Sequence, residues 1–242
     1  MAHGRPDWGL TSATKITYPI TDLGEHAARM GSIVTFDRRG DVKFLDDWRD
    51  GLDKWHFYSV VAAGTHRLTT LGMRSGPYSL YMYPGVASGA QHIAELSLPY
   101  TTTTRIGLEF SIALNTLSAP AWAKLRPQST LLGYEWGLRY NTLSNTLQYL
   151  DSTNNWATLD ETLGLVDAYW NFHTLKIVGD LETGNYVRAL VDGNPYDMSA
   201  IAGRSLGVWS SNRILLQLGV DYDIDSDLAT LFDDIIVTQN EP

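Results

Sequence analysis

Four aspartates alternate with other residues near the end of the chain, in the segment DYDIDSD that begins at Asp221. Carboxylates at this spacing suit a hard cation such as Ca²⁺, which takes about 6–8 oxygen ligands. The segment therefore predicts a calcium site with Asp221, Asp223 and Asp225 as candidate ligands. An EF-hand is excluded, because the sixth and twelfth positions hold Ser226 and Phe232 where that loop needs glycine and glutamate. A solvated acidic loop is the alternative.

Carboxylates could also hydrolyse a glycosidic bond. Retaining hydrolysis needs two carboxyl groups about 5 Å apart, one as nucleophile and one as acid. Glu109 and Glu135 each lie in a strand-like segment and could approach each other within a sheet. Paired or surface carboxylates without a catalytic role are the alternative, and we expect no catalytic residue and no enzymatic activity.

Aromatic side chains are the other group that could recognise a ligand. Exposed tryptophans can stack on sugar rings while their polar edge stays free for a hydrogen bond. The candidates for ligand stacking are Trp122, Trp136, Trp156 and Trp209. The alternative for each is a place in the core or in an interface.

Composition narrows the classes of protein. The chain has 242 residues, a hydrophobic fraction of 44%, no cysteine and a formal net charge of −9. The size and apolar content predict a globular fold, and the lack of cysteine excludes disulfides and cysteine-based zinc sites. The acidic charge, with no basic patch, argues against nucleic acid as a partner. No signal peptide and no apolar run of membrane-spanning length is present in the sequence, so we expect no membrane partner.

The charge is unevenly distributed, which suggests two parts. Residues 1–44 carry a net charge of +1, whereas residues 45–242 carry −10. We predict an N-terminal arm over 1–44 and one domain over 45–242. In the arm, Asp22 and Glu25 form a capping box for a short helix, and residues 32–36 and 42–45 form a hairpin around a polar turn.

The remainder is predicted to be almost entirely β. Short runs of alternating or β-branched residues end at turn residues, as in the hairpin turn at residues 192–195. Strands at this spacing predict an all-β fold, an antiparallel sandwich or barrel. Residues 156–168 are the exception, where we expect a short helical turn or a loop.

Four segments resemble the concanavalin A-like lectin superfamily, in its laminin-G-like and glycan-binding jelly-roll branches. They read LDDWRDGLDKW from Leu45, WNFHTLKIVGD from Trp170, YVRALVDGN from Tyr186 and FDDIIVT from Phe232. The resemblance covers residues 45–242 and implies a jelly-roll β-sandwich. It also implies a place for a structural Ca²⁺ where Asp46 or Asp47 of the first strand meets Asp233 or Asp234 of the last, with Asp47 and Asp233 as candidate ligands.

A second, shorter segment, GSIVTFDRRGD over residues 31–41, resembles virion structural proteins of tailed phages. Such proteins combine an arm with a jelly roll, which implies a location on the virion and a homo-oligomer that contacts its own copies or capsid or tail subunits. The apolar arm residues expected to supply this assembly contact are Ile16, Tyr18, Ile20, Ile33, Val34 and Phe36.

These observations leave two main hypotheses of function. The first is a non-enzymatic virion surface protein, a capsid decoration or tail-associated protein with a lectin-like domain. The alternative is a carbohydrate-binding module with glycans as partners. A divergent glycoside hydrolase is the remote third.

Overall fold

The computed structural model describes residues 37, 39–115, 118–222 and 229–242. Its regular structure consists of β-strands, and no helix occurs among the described residues. In chain order the strands are β1 (Asp41–Asp46), β2 (His56–Val60), β3 (Thr65–Thr69), β4 (Ser79–Tyr83), β5 (Gln91–Pro99), β6 (Arg105–Ala113), β7 (Ala121–Gln128), β8 (Gly133–Asn141), β9 (Thr146–Leu150), β10 (Trp156–Asp160), β11 (Phe172–Asp180), β12 (Tyr186–Val191), β13 (Asn194–Asp197), β14 (Arg204–Gly207), β15 (Arg213–Asp221) and β16 (Thr230–Gln239).

The strands form two eight-stranded sheets, which we call sheet A and sheet B. Sheet A has the order β13-β12-β11-β6-β16-β4-β3, with β1 also paired to β16. Sheet B has the order β10-β9-β8-β7-β15-β5-β2, with β14 also paired to β8. All strand pairs are antiparallel. The prediction of an antiparallel β-sandwich is therefore confirmed.

Alternation along the strands builds one core between the sheets, because successive side chains point to opposite faces. In β6, alternate residues from Ile106 to Ile112 are fully buried in this core, and in β15 alternate residues from Ile214 to Val220 are too. Trp136 of β8 fills the space between the sheets. A Cβ atom on Gly179 would lie 2.4 Å from its ring, so glycine lets the two sheets approach here.

The segment LDDWRDGLDKW, the opening motif of the domain, is anchored to the core by Asp46. The Asp46 carboxylate accepts hydrogen bonds from Trp55 Nε1 at 2.7 Å and from the Trp48 backbone N–H at 3.0 Å. It also lies 3.0 Å from Lys54 Nζ. The two indole rings pack 5.3 Å apart and are buried, so the tryptophans of this motif serve the core.

The first and last described strands lie side by side, since Asp41 of β1 pairs with Gln239 of β16. β1 crosses position 44, where the sequence places the end of the arm, so residues 41–44 belong to sheet A. The predicted helix and the first strand of the predicted hairpin lie outside the described residues. The division of the chain into arm and domain stays a prediction.

The sequence-based expectation for residues 156–168 was wrong over its first part. β10 occupies Trp156–Asp160 and pairs with β9, and residues 161–168 are irregular. β7 was not predicted either, because it alternates alanine, a weak strand former, with polar residues and contains Pro127. Both strands matter for the site.

Candidate functional site

The outer face of sheet B carries aromatic and charged side chains from strands that are distant in sequence. β7, β8 and β15 turn their apolar residues to the core, so their intervening residues project outward. We call this set the sheet B face; its side chains are Trp122, Lys124 and Arg126 of β7, Glu135 and Arg139 of β8, and Gln217 and Asp221 of β15, with Trp156 of β10 and Arg204 of β14 beside them.

Two tryptophans lie next to each other on this face. The ring centroids of Trp122 and Trp156 are 6.4 Å apart. Glycines beneath them leave room for the rings, since a Cβ on Gly219 would lie 2.1 Å from Trp122 and one on Gly137 would lie 3.1 Å from Trp156. Trp122 is 2% exposed, whereas Trp156 is half-buried. The accessible aromatic surface therefore belongs to Trp156, with Trp122 as its support.

Cations pack against the two rings. Lys124 Nζ lies 5.1 Å from the Trp122 ring centroid and 5.4 Å from that of Trp156. The guanidinium of Arg139 lies 4.8 Å from the Trp156 ring centroid, within the range of a cation–π contact.

Asp221 fixes this aromatic group from β15. Its Oδ1 accepts hydrogen bonds from Trp122 Nε1 at 2.7 Å and from Gln91 Nε2 at 2.8 Å. Its Oδ2 accepts one from Arg139 at 3.1 Å. The carboxylate thus satisfies the indole N–H and orients the arginine that packs on Trp156.

Glu135 is the centre of a second group of charges. Its carboxylate lies 3.6 Å from Lys124 Nζ, 3.4 Å from Arg126 Nε and 2.7 Å from Arg204 Nη1. Burial lowers the pKa of Lys124, although the nearby Glu135 acts in the opposite direction. One buried carboxylate therefore holds three cationic side chains together.

The far end of the sheet B face is polar. Gln217 Nε2 donates to Glu95 Oε2 at 2.7 Å and to Tyr58 Oη at 3.1 Å. Burial, followed by the charge of Glu95, raises the pKa of Tyr58. Hydrogen-bond donors and acceptors thus continue from β8 to β2 along one face.

The predicted stacking residues separate into three environments. Trp122 and Trp156 come together on the sheet B face. Trp136 is fully buried between the sheets, with its Nε1 donating to the Gly184 carbonyl. No ligand can stack on its ring, so the prediction that Trp136 is a stacking residue was wrong. The loop residue Trp209 packs beside Gly133 at the end of β8, away from the other two.

The predicted metal ligands do not form a single site among the described residues. Asp221 binds the tryptophan and arginine described above, and Asp223 and Asp225 lie outside the described residues. Asp47, Asp233 and Asp234 do approach one another: burial, then the neighbouring carboxylates, raises the pKa of Asp233 to about 7.

The cation beside these carboxylates is an arginine. The Arg74 backbone N–H donates to Asp233 at 2.9 Å, and its guanidinium lies 3.6 Å from Asp234 Oδ2. Ser75 donates its hydroxyl hydrogen to Asp234. Among the described residues, no three His, Asp or Glu side chains are grouped so that they could hold a metal ion.

The carboxylates considered for hydrolysis are not neighbours. Glu109 projects from β6 on the outer face of sheet A, and Glu135 projects from β8 on the outer face of sheet B, with the core between them. The segment from Gly203 to Gly207 matches the Gly-x-Ser-x-Gly pattern of serine hydrolases. Its serine, Ser205, lies in the short edge strand β14 and not in a strand-to-helix turn, so the motif is not a nucleophile elbow.

The outer face of sheet A receives the end of the predicted arm. Lys176 Nζ lies 3.1 Å from Asp37 Oδ2 and 2.8 Å from Glu241 Oε1. The Asp37 backbone N–H donates to Glu109 Oε2 at 3.2 Å. The predicted assembly residues, from Ile16 to Phe36, lie outside the described residues.

Comparison with known proteins establishes the fold. No family model and no curated protein matches the chain. A conserved carbohydrate esterase from Shiga toxin-encoding bacteriophage phi24B is similar in structure at 12% identity and a TM-score of 0.54, over 84% of this chain and 100% of that chain. A protein of unknown function with a galectin-like fold from Bacillus subtilis is similar at 12% identity and a TM-score of 0.51, over 84% and 97% of the two chains.

A third solved structure, the potassium-bound carbohydrate recognition domain of Emp46p, matches at 9% identity and a TM-score of 0.49, over 81% and 93% of the chains. The galectin-like match and the two antiparallel sheets give the chain a lectin-like jelly-roll fold, and that part of the predicted resemblance is confirmed. In the described part of the chain, no helix has the length and apolarity needed to cross a bilayer.

Proposed function

We propose that this protein binds carbohydrate on the sheet B face and has no catalytic activity of its own. The observation that carries the proposal is the placement of Trp122 and Trp156, 6.4 Å apart, on one face with charged and amide side chains around them. Small-ligand sites commonly combine apolar or aromatic surface with a few fixed polar groups.

The polar groups suit the hydroxyls of a sugar, which both donate and accept hydrogen bonds. Arg139 is held by Gln148 at 2.7 Å and by Asp221 at 3.1 Å, so its orientation is set before a ligand arrives. Gln217 is held in the same way by Glu95 and Tyr58. Side chains held in this way lose little rotamer freedom on binding, which reduces the entropic cost of binding a flexible saccharide.

The lectin-like fold supports this proposal only by analogy, because one fold hosts many functions. We prefer carbohydrate binding to a virion surface role because the sheet B face supports it, whereas the virion role rests on the short resemblance of residues 31–41. The absence of catalysis is also a proposal: it is supported by the separation of Glu109 from Glu135 on opposite outer faces.

A glycan microarray tests the proposal with three proteins: the full chain, Trp156→Ala and the matched control Trp170→Ala. Trp170 is 83% exposed and precedes β11 of sheet A. We expect the full chain and the control to retain the same glycans, and Trp156→Ala to lose them. No retained glycan, or equal retention by Trp156→Ala, would overturn the proposal.

The assembly role of the arm remains a second proposal, and the contacts of Asp37 show where to cut the chain to test it. Asp37 is bound to sheet A through Lys176, on the face opposite the sheet B face. Light scattering on the full chain and on a chain that begins at Asp37 tests the role: a defined oligomer that becomes a monomer on truncation supports it, and equal masses contradict it.

A further inference from the structure

We infer that the sheet B face selects saccharides that carry an anionic group, a carboxylate or a sulfate, and that this group binds beside Arg126. The inference rests on the proposed carbohydrate binding and specifies its ligand. The observation behind it is the imbalance of charge around Glu135.

Three cations share the one carboxylate of Glu135. The side chains of Lys124, Arg126 and Arg204 are 16%, 19% and 34% exposed, whereas that of Glu135 is 2% exposed. The carboxylate is therefore covered and the cationic groups border the solvent. Close charges in a partly buried place interact more strongly than charges in water, so the surplus of two positive charges favours an incoming anion.

Arg126 is the least satisfied of the three. Its Nε atom is buried and has no hydrogen-bond partner among the described residues, and the nearest carboxylate oxygen, Glu135 Oε1, is 3.4 Å away. That atom is closed to solvent, so a ligand oxygen would meet the exposed part of the guanidinium, on a side chain that is 19% exposed. Guanidinium groups bind carboxylate and sulfate-like oxygens with strong, charge-assisted hydrogen bonds.

The other charges nearby reduce this surplus to one positive charge. Asp221 pairs with Arg139 at 3.1 Å, and Glu95 of the neighbouring strand β5 accepts a hydrogen bond from Gln217 at 2.7 Å. Together these groups comprise four cationic side chains and three carboxylates, in a chain whose net charge is −9. An acidic ligand needs a local positive site to bind to a protein with so negative a net charge. Salt should weaken the attraction between the ligand and that site.

The ring of the same saccharide has a place beside the cations. Lys124 links the two groups, since its Nζ lies 5.4 Å from the Trp156 ring centroid and 3.6 Å from Glu135 Oε1. A sugar ring on Trp156 would therefore direct a substituent toward Arg126. Neutral sugars would use the aromatic contact alone.

The test is a microarray on which uronate- and sulfate-bearing oligosaccharides stand beside their carboxyl-reduced and desulfated counterparts. The full chain is compared with Arg126→Gln and with Arg67→Gln, a matched loss of charge at Arg67, which packs on Tyr81 in sheet A. We expect the acidic member of a pair to bind about tenfold more tightly. Arg126→Gln should remove most of that ratio, and Arg67→Gln should leave it unchanged.

The outcomes separate the two claims. Equal binding of acidic and neutral members would overturn the inference and leave carbohydrate binding standing, and no binding at all would overturn both. If the uronates bind and the sulfated glycans do not, the anionic group is a carboxylate, and the reverse result assigns a sulfate. If Arg126→Gln fails to fold, the full chain decides: raising NaCl from about 50 to about 500 mM should weaken the acidic members and spare the neutral ones.

Discussion

Trp122 and Asp221 are 99 residues apart in sequence, yet the indole Nε1 of the first donates a 2.7 Å hydrogen bond to the carboxylate of the second. The bond joins β7 to β15 on the sheet B face. It gives Asp221, a candidate calcium ligand in the sequence, a different role: this carboxylate positions an aromatic side chain and an arginine. The site is thus built by side chains that hold one another.

Removing the Asp221 carboxylate should loosen the aromatic pair. Asp221→Ala leaves the buried Trp122 N–H without its acceptor and removes the carboxylate that binds Arg139, which should cost about 1–3 kcal/mol of folding free energy. Asp221→Asn keeps an acceptor oxygen for the indole and should cost less. Urea unfolding measures the free energies, and near-ultraviolet circular dichroism reports the tryptophans. Equal stability of Asp221→Ala and the unmodified chain would contradict this role.

Gly219 should be required for Trp122 to lie against the sheet. A Cβ atom at this position would lie 2.1 Å from the indole, and the rigid ring cannot relieve the clash with a small shift. Gly219→Ala should therefore displace Trp122 and destabilise the fold by about 1–3 kcal/mol. Intrinsic fluorescence should change as the indole moves, and glycan retention on the array should fall. Unchanged fluorescence and binding would show that the ring has another way to fit.

Trp136 should behave as a core residue. Trp136→Ala should cost about 3–5 kcal/mol, because a large cavity would open between the sheets. Trp170→Ala should cost within about 0.5 kcal/mol, since that side chain is 83% exposed. Denaturant unfolding of both variants makes the comparison, and similar losses in the two would contradict the burial assigned to Trp136.

Acid should weaken the contacts that His92 of β5 makes with Ser59 of β2 and His66 of β3. Burial, followed by the neighbouring charge of His66, lowers the pKa of His92 to about 4. Its Nδ1 lies 2.8 Å from Ser59 Oγ and its Nε2 lies 2.9 Å from His66 Nδ1, so the neutral ring makes two hydrogen bonds. The folded state thus binds fewer protons than the unfolded state between pH 6.5 and pH 4. The stabilisation is fully present above pH 6.5 and is lost as the pH falls toward 4.

The size of this effect should be at most about 3 kcal/mol. Urea unfolding of the unmodified chain and of His92→Gln at several pH values measures it. The variant should be less stable near pH 7 and should show a shallower decline between pH 6.5 and pH 4. Parallel pH profiles would assign the acid sensitivity to other groups.

The position at which the chain is cut should decide whether the domain stays stable. A chain that begins at Leu45 loses most of β1, which pairs with β16, together with the ion pair between Asp37 and Lys176. A chain that begins at Asp37 keeps both. Thermal unfolding should show a lower midpoint for the first chain, and equal midpoints would show that β1 and Asp37 contribute little.

The fold could be predicted because its signals are local. Alternating apolar residues and turn residues indicated most strands, and the opening and closing motifs placed β1 next to β16. β7 was missed because two of its inward positions, Ala121 and Ala123, hold alanine, and its outward residues are those of the site. Its strand character comes from pairing with β15 and β8 and not from its own composition.

The site could be predicted only in part. Trp122 and Trp156 were recognised as aromatic candidates, but their contact depends on the order β10-β9-β8-β7. The grouping of Lys124, Arg126 and Arg204 around Glu135 likewise depends on strand pairing, because β8 lies between β7 and β14. No spacing along the chain reveals such a cluster, so the sequence suggested isolated residues where the structure has one face.

The most direct test of the account is a nuclear magnetic resonance titration of the ¹⁵N-labelled full chain with an acidic oligosaccharide retained on the array. We expect shifts at the indole N–H groups of Trp122 and Trp156 and along β7, β8 and β15, with little change around Lys176 on sheet A. Shifts confined to sheet A, or an absence of shifts at saturating ligand, would contradict it.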